Sequence, residues 1–354
     1  MRHQMFFFKP ITNEHGVSII LVAILLVLFL GITALAIDFG HNYVVRNELK
    51  NAADAAALVG ANKFYPRTPS TPTPPNWGAA ETEAANAIQL NKSDNASLQV
   101  AEVVSGYWNL RPATPPALPP APAPDLLPQG TTIPSTECTS TYPCRAPAVK
   151  VTVRRAAGIN SGPVQNFFAG LTGQASTDQG VVAIAVVTSP GSVKPGALLP
   201  IAVTRHMAET AGYGSTNTFR IGSSYHYPDS QAGQWTSLNL DTNNVPDVRD
   251  LIAYGNPTPL SVGDNIWIQP GTKTTLYGDI PVGTTVLVPV VDAILSDSTH
   301  SAVPIWGFIG FHITASEGGS GKYIEGYFLA NYYAGLGGSS GPNRGVFIPS
   351  KLVW

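Results

Sequence analysis

From Val17 to Ile37 the chain reads VSIILVAILLVLFLGITALAI, 21 residues without a charge. At 1.5 Å of rise per residue the run spans about 31 Å, the depth of a bilayer's hydrocarbon core. Backbone amides in lipid must bond within their own segment, so the run predicts a transmembrane helix over 17–37. A cleaved signal peptide is the rival reading, because Ala34-Leu35-Ala36 fits the small-x-small cleavage pattern. Against it, the run exceeds a usual signal core and the helical pattern continues through that site.

After Asp38 the pattern becomes one-sided. Val45, Leu49, Ala52, Ala53 and Ala56 fall at helical spacing, while Arg46, Glu48 and Lys50 interrupt them on the wet face. The membrane helix is expected to continue outward over 38–64, weakened near Gly40 and Gly60 and stopped by Pro66. Pro66, Pro69, Pro72, Pro74 and Pro75 make 65–76 a stiff linker. Ala79–Leu90 reads as a second helix with Ala80, Ala84, Ala87 and Ile88 on one face. Alternation predicts strands at Leu98–Val103 and Val149–Val153, with a Pro-rich insert between them. A short helix at Gly162–Leu171 and a buried strand at Val181–Val187 complete a small antiparallel α+β unit over 77–189, with its insert at 111–147.

The last part, 190–354, is strand-rich. Leu199–Val203, Thr218–Ile221, Trp235–Leu240, Asn265–Ile268, Thr284–Val291, Ile305–Ala315, Tyr323–Leu329 and Val346–Leu352 alternate between turn residues, as in a sandwich or barrel. One helix, Pro246–Tyr254, interrupts them, with Pro246 in its first turn and Gly255 at its stop. The fold class is therefore α+β: a transmembrane helix extended by a long helix, an α+β unit, and an all-β domain.

Composition narrows the function. Only 12% of residues are charged and the net charge is −2, so no basic face exists to hold a nucleic acid. Two cysteines, Cys138 and Cys144, are too few for a disulfide scaffold or a four-cysteine zinc site. Sitting in the turn-rich stretch CTSTYPC, they suit a small disulfide loop in an oxidising compartment, or else two free thiols. Arg2 and Lys9 before the span favour an N-terminus inside the cell and the bulk outside, with 1–16 a cytoplasmic tail.

Gly16-Val17, the apolar span, Ala36-Ile37-Asp38-Phe39-Gly40, Arg46, Leu49 and the run from Asn51 to Leu58 (NAADAAAL) resemble the N-terminal segment of TadG-like proteins. These belong to the tight-adherence (Flp, type IVc) pilus systems of bacteria. The resemblance implies a single-pass inner-membrane protein with a periplasmic bulk, a pilin-like helix, and a non-enzymatic role without cofactors. It also implies partners among pilus-assembly proteins or pilin-like subunits, packed against Asp38, Gly40, Arg46, Leu49, Asn51, Ala52, Asp54 and Leu58. In one respect the chain departs from processed pilins. Cleavage after Gly16 would place Leu21, not Glu, at the fifth position of the mature chain.

Several patterns resemble chemistry without completing it. Gly337-Gly338-Ser339-Ser340-Gly341 fits GxSxG, but no acid or His follows it, so a glycine-rich loop is the better reading. Gly318-Gly319-Ser320-Gly321-Lys322 lacks a phosphate loop's first glycine and reads as a hairpin turn. Asp297-Ser298-Thr299-His300-Ser301 approaches the metal motif of von Willebrand A domains, yet a polar turn is favoured. Asp241, Asn243, Asn244, Asp247 and Asp250 could face a cation, though helix capping explains them more simply. His206, His226, His300 and His312 are dispersed, with His312 expected on an exposed strand face. Trp235, Trp267 and Trp306, with Tyr225 and Tyr227, are core or a glycan platform. A tethered periplasmic hydrolase and a surface adhesin or carbohydrate-binding module remain the alternatives to an assembly role.

Overall fold

The computed structural model describes residues 14–66, 73–110, 123–131, 145–222, 233–271, 273–292, 300–333, 338 and 340–354. Cys138, Cys144, Tyr225, His226, Tyr227, Asp297, Ser298, Thr299 and Ser339 lie outside them, as do half of the Pro-rich stretch 65–76 and most of the insert 111–147.

Helix α1 runs unbroken over Glu14–Ala61, 48 residues. Gly31 and Gly40 sit inside it with open space where a Cβ would stand. Proline is absent from the whole run, so no residue removes an amide donor from the ladder. Side chains from Ser18 to Phe29 are exposed all round, whereas from Asp38 onward one face closes. Val45, Leu49, Ala52, Ala53 and Ala56 are each 0–1% exposed, the face their spacing predicts.

Along the chain two compact units alternate. The first takes α1 to Ala52, residues 89–100 and residues 153–181. It is built from tight turns rather than long strands. Lys92–Ser93 pairs with Ala96–Ser97 around Asp94 and Asn95, both at positive φ, as a two-residue hairpin loop demands. Val164–Gln165 pairs with Ser176–Thr177 around a loop holding the one-turn helix Ala169–Thr172.

The second unit takes residues 53–88, 101–152 and 182–354. Within it the end of α1 meets α2 (Trp77–Gln89), which buries Ala80, Ala84, Ala87 and Ile88 as its spacing predicts. A Cβ on Gly60 would stand 2.7 Å from the Ala80 carbonyl oxygen and the Ala84 Cβ. Here glycine permits a close helix approach. Strands β1 (Glu102–Asn109), β2 (Arg145–Arg155) and β3 (Gln179–Val186) form a sheet whose fourth member, Lys351–Leu352, pairs with β3. Glu81 ties α2 to this sheet by accepting the Ser105 amide at 3.1 Å and its hydroxyl.

The C-terminal strands are β4 (Ile201–Thr204), β5 (Phe219–Ile221), β6 (Gly233–Trp235), β7 (Asn265–Ile268), β8 (Thr285–Val291), β9 (Ser301–Glu317) and β10 (Tyr323–Phe328). They lie in the order β5-β10-β9-β8-β4-β6, with β7 also on β9. Within this sheet β4 and β8 pair in parallel. Side chains of β9 alternate between two cores. Ile305 and Phe308 join Leu251 and Ile266, while Ile309, Phe311 and Ile313 join Met207, Trp235 and Phe328. The sheet is not a closed barrel; among the described residues no ladder joins β5 to β6, and the Gly233 N–H donates to the carbonyl of Gly222, just past β5, at 2.9 Å. Helices α3 (Arg205–Thr210) and α4 (Val245–Tyr254) cover it. Asn244 caps α4 by accepting the Asp247 amide at 2.8 Å, and Gly255 ends it at φ 72°. Within the Asp/Asn cluster Asn244 is thus a cap, whereas Asp241 meets His300 and Asn243 accepts from Lys273.

Five local readings shift. The strand expected at 98–103 lies at Glu102–Asn109, because the Gln99 and Val100 amides donate to the Asn160 side chain instead of a ladder. The helix expected over 162–171 shrinks to Ala169–Thr172, since Val164 and Gln165 are drawn into pairing. The strand from Trp235 stops there, because Leu238 adopts φ 53° in a turn. The last strand splits around Pro349 into Val346–Phe347 and Lys351–Leu352. His312 is half-buried rather than exposed, with Nδ1 3.0 Å from the Thr285 hydroxyl and its ring against Tyr327.

Candidate functional site

The most concentrated polar constellation in the first unit grows from the start of the gripped half of α1. Asp38 is the first charge after the apolar run and is only 5% exposed. A buried carboxylate needs donors, and two backbone amides supply them. Oδ1 accepts the Phe167 N–H at 2.7 Å and Oδ2 the Phe168 N–H at 3.2 Å. One turn later, Asn42 donates to the Asp38 carbonyl at 2.9 Å and to Asn166 Oδ1 at 3.0 Å. Gln179 donates to Asn42 Oδ1 at 3.0 Å. The loop between Val164 and Thr177 is therefore fastened to the helix at its base and through its first residues, Asn166 to Phe168.

A second contact lies along the same face. Positions 38, 41, 45, 48 and 52 share a side of the helix, so His41 and Glu48 stand beside the buried Val45. His41 Nε2 lies 3.1 Å from Asp94 Oδ1, and Glu48 Oε2 accepts the Asp94 amide at 2.7 Å. Arg155, 5% exposed, reaches Asp94 Oδ2 and the Ser93 carbonyl, each at 3.3 Å. The His41 hydrogen bond, aided by Arg155, holds the Asp94 carboxyl below the usual carboxylate range. Asn160 completes the set. It accepts two amides and donates to the carbonyls of Val100 and Arg154 at 2.8 and 2.7 Å.

The residues singled out as packing positions divide by exposure. Asp38, Leu49 and Ala52 are buried in the chain's own interior. Gly40, Arg46 and Asn51 are exposed on the same helix. Asp54 and Leu58 are half-buried in the second unit, where the Leu58 carbonyl accepts the Ser350 hydroxyl at 2.9 Å. The suggested Cys138–Cys144 disulfide lies outside the described residues. Sequence reasoning missed His41, Asn42, Asp94, Arg155, Asn160 and Asn166. A signal existed for the Asp94–Asn95 turn and for His41 and Glu48 seven residues apart, but none for their union.

Elsewhere, Trp235 is a core residue at 2% exposure and Trp306 is 8% exposed between Arg205 and Arg344, so neither presents a platform. Trp267 is half-buried and stacks on His300 at 4.7 Å. His300 in turn meets Asp241 at 2.9 Å. The 318–322 stretch forms the β9–β10 turn, with Gly319 and Lys322 at positive φ. Gly341 pairs with Ser189 in a short ladder. A cleft of about 310 Å³ in the second unit is lined by Tyr65, Tyr107, Arg145, Thr188 and Phe347 among others. Burial pushes the Tyr65 phenol up. Among the described residues, no group of three His, Cys, Asp or Glu side chains converges to hold a metal.

Fold and site together define an α+β protein carried on a long N-terminal helix whose first half is long and apolar enough to cross a membrane. The family follows from two matches. The Tad model, described as Flp pilus-assembly TadE/G-like, matches residues 16–63, and the Tad_C model, described as Tad-like Flp pilus-assembly, matches 50–185. Together the two matches cover residues 16–185, just under half of the chain, and this part is TadG-like, of the Flp pilus-assembly type. Residues 186–354, with the seven-stranded sheet, lie outside both matches. No curated protein and no solved structure matches the chain significantly.

Proposed function

We propose that the chain is a non-enzymatic, single-pass component of a bacterial tight-adherence pilus apparatus. Residues 17–37 anchor it in the inner membrane, 1–16 face the cytoplasm, and the bulk projects into the periplasm. In this reading 38–64 is a packing helix, 65–76 a spacer, 77–189 a pilin-like unit and 190–354 a β-rich part offered to assembly partners. The observation that carries it is the change of environment along one unbroken helix, apolar and exposed on every side from Ser18 to Leu30 and gripped on one face from Asp38 onward, with Ala34 already buried between them.

That change also divides the labour of the packing residues. Asp38, Leu49 and Ala52 hold the helix in its own protein, while Gly40, Asn51 and, between them, Val44 and Asn47 form an exposed stripe at helical spacing. Arg46 flanks it. A neighbouring pilus-assembly or pilin-like helix would lie along this stripe. The non-enzymatic character is an inference from the pilus-assembly family type. The test is Asn51→Trp combined with Val44→Trp in the full chain, expressed with its pilus apparatus. Co-purification of other pilus components and pilus formation should be lost with the chain still present in membranes. Wild-type assembly by this variant would refute the stripe as a partner surface.

A further inference from the structure

We propose that the loop carrying Phe167 and Phe168 is a second membrane contact, resting on the lipid interface beside the helix that crosses it. The proposal rests on residues 17–37 being in a bilayer. Phe167 is 65% and Phe168 36% exposed, and on α1 Phe39 and Tyr43 are 71% and 67% exposed. Scattered exposed apolar residues need no explanation, but these four gather at one level of one helix.

The level follows from the hydrogen bonds. Asp38, the residue after the apolar run, holds the amides of Phe167 and Phe168, and the Phe167 ring lies 4.7 Å from that of His41. At 1.5 Å per residue, His41 stands about 6 Å beyond Ile37. The interfacial layer on each side of a bilayer's core is roughly 5–7 Å deep. Phe167 therefore lies across the interfacial layer, its amide beside Asp38 near the core and its ring beside His41 farther out, at the depth where aromatic side chains of membrane proteins concentrate. Lipid surrounds a spanning helix on all sides, so the loop meets it whichever face of α1 it grips.

The loop's composition agrees. Residues 160–177 contain no Asp, Glu, Lys or Arg, in a chain whose first unit otherwise places charges at Glu48, Asp94, Arg154 and Arg155. Nor can the loop swing away, because Asn42 and Gln179 secure its base. The contact would set the first unit's height above the membrane.

The experiment places the photoreactive phenylalanine analogue benzoylphenylalanine at position 28, 167 or 254 of the full chain, in phosphatidylcholine vesicles. Light is applied and lipid adducts are read by mass. Leu28 lies mid-span, and Tyr254, 78% exposed at the end of α4, is the aqueous reference. Lipid adducts at 28 and 167 but not at 254 are expected. An adduct at 28 without one at 167 overturns the proposal and leaves the anchor standing. Loss of the adduct at 28 removes the anchor itself and the proposal with it. At 167, a cross-link to a second copy of the chain in place of lipid also overturns the proposal, assigning the surface to protein.

Discussion

The two halves of α1 share one backbone conformation and almost no chemistry. Leu26 and Leu28 are 59% and 55% exposed, whereas Leu49 is fully buried in the same helix. Ala-rich and Leu-rich turns both favour helix, so secondary structure does not tell the halves apart. The difference lies in what each can satisfy. The first half offers apolar surface in every direction and no side-chain charge, which suits lipid. The second presents alternating small apolar and polar groups on one side, which suits a folded partner surface. A single buried carboxylate, Asp38, marks the change, because it can exist there only where donors have been brought to it.

The largest effect on this contrast should come from Leu28→Arg. A cation at the centre of a span costs about 3 kcal/mol of insertion. The variant should leave the carbonate-resistant membrane fraction, and full retention would break the distinction between the halves. Next, Leu49→Ala should cost about 2–5 kcal/mol of stability by opening a cavity. The same change at Leu26 should cost under about 0.5 kcal/mol, as at other sites outside a packed core. Denaturant titration in detergent checks both, and equal costs would mean that burial does not separate the two halves.

Asp38→Ala should cost about 1–3 kcal/mol by stranding two buried donors. Asp38→Asn keeps an acceptor and should lose less. Hydrogen exchange at the Phe167 and Phe168 amides should accelerate in that order, and unchanged exchange in the alanine variant would deny the carboxylate its role.

The smallest effect is a pH dependence. Because the Asp94 carboxyl is held low by His41 and Arg155, its ionised form favours the folded state. That contribution is complete above the ordinary carboxylate pKa of about 3.9 and is lost as pH falls through it toward the lower folded value. Asp94→Asn should therefore be less stable than wild type at pH 7, with the gap narrowing by pH 3. Thermal melts across that range check it, and a constant gap would show that the hairpin contact is not ionic.

Much of this was legible where the physics is local. The buried face of α1, the four buried positions of α2, strand β7 to the residue, and the Asn244 and Gly255 ends of α4 all follow from periodicity, caps and turn propensities. The errors fall where a distant side chain competes with a local preference. Residues 98–100 alternate like a strand, but Asn160, about sixty residues away, takes the amides of Gln99 and Val100. The parallel pairing of β4 with β8 likewise has no local signature.

The candidate site shows the same division more sharply. Sequence alone determined that a long helix begins in apolar surroundings, that Asp38 ends the uncharged run, and that one face beyond it can pack. Hydrophobic spacing settles these, because neighbours on a helix are three or four residues apart. Only tertiary structure decided that Asp38 meets Phe167, 129 residues later, or that His41, Glu48 and Arg155 converge on Asp94. A buried polar group requires a partner of the right kind, but it can draw that partner from anywhere in the chain.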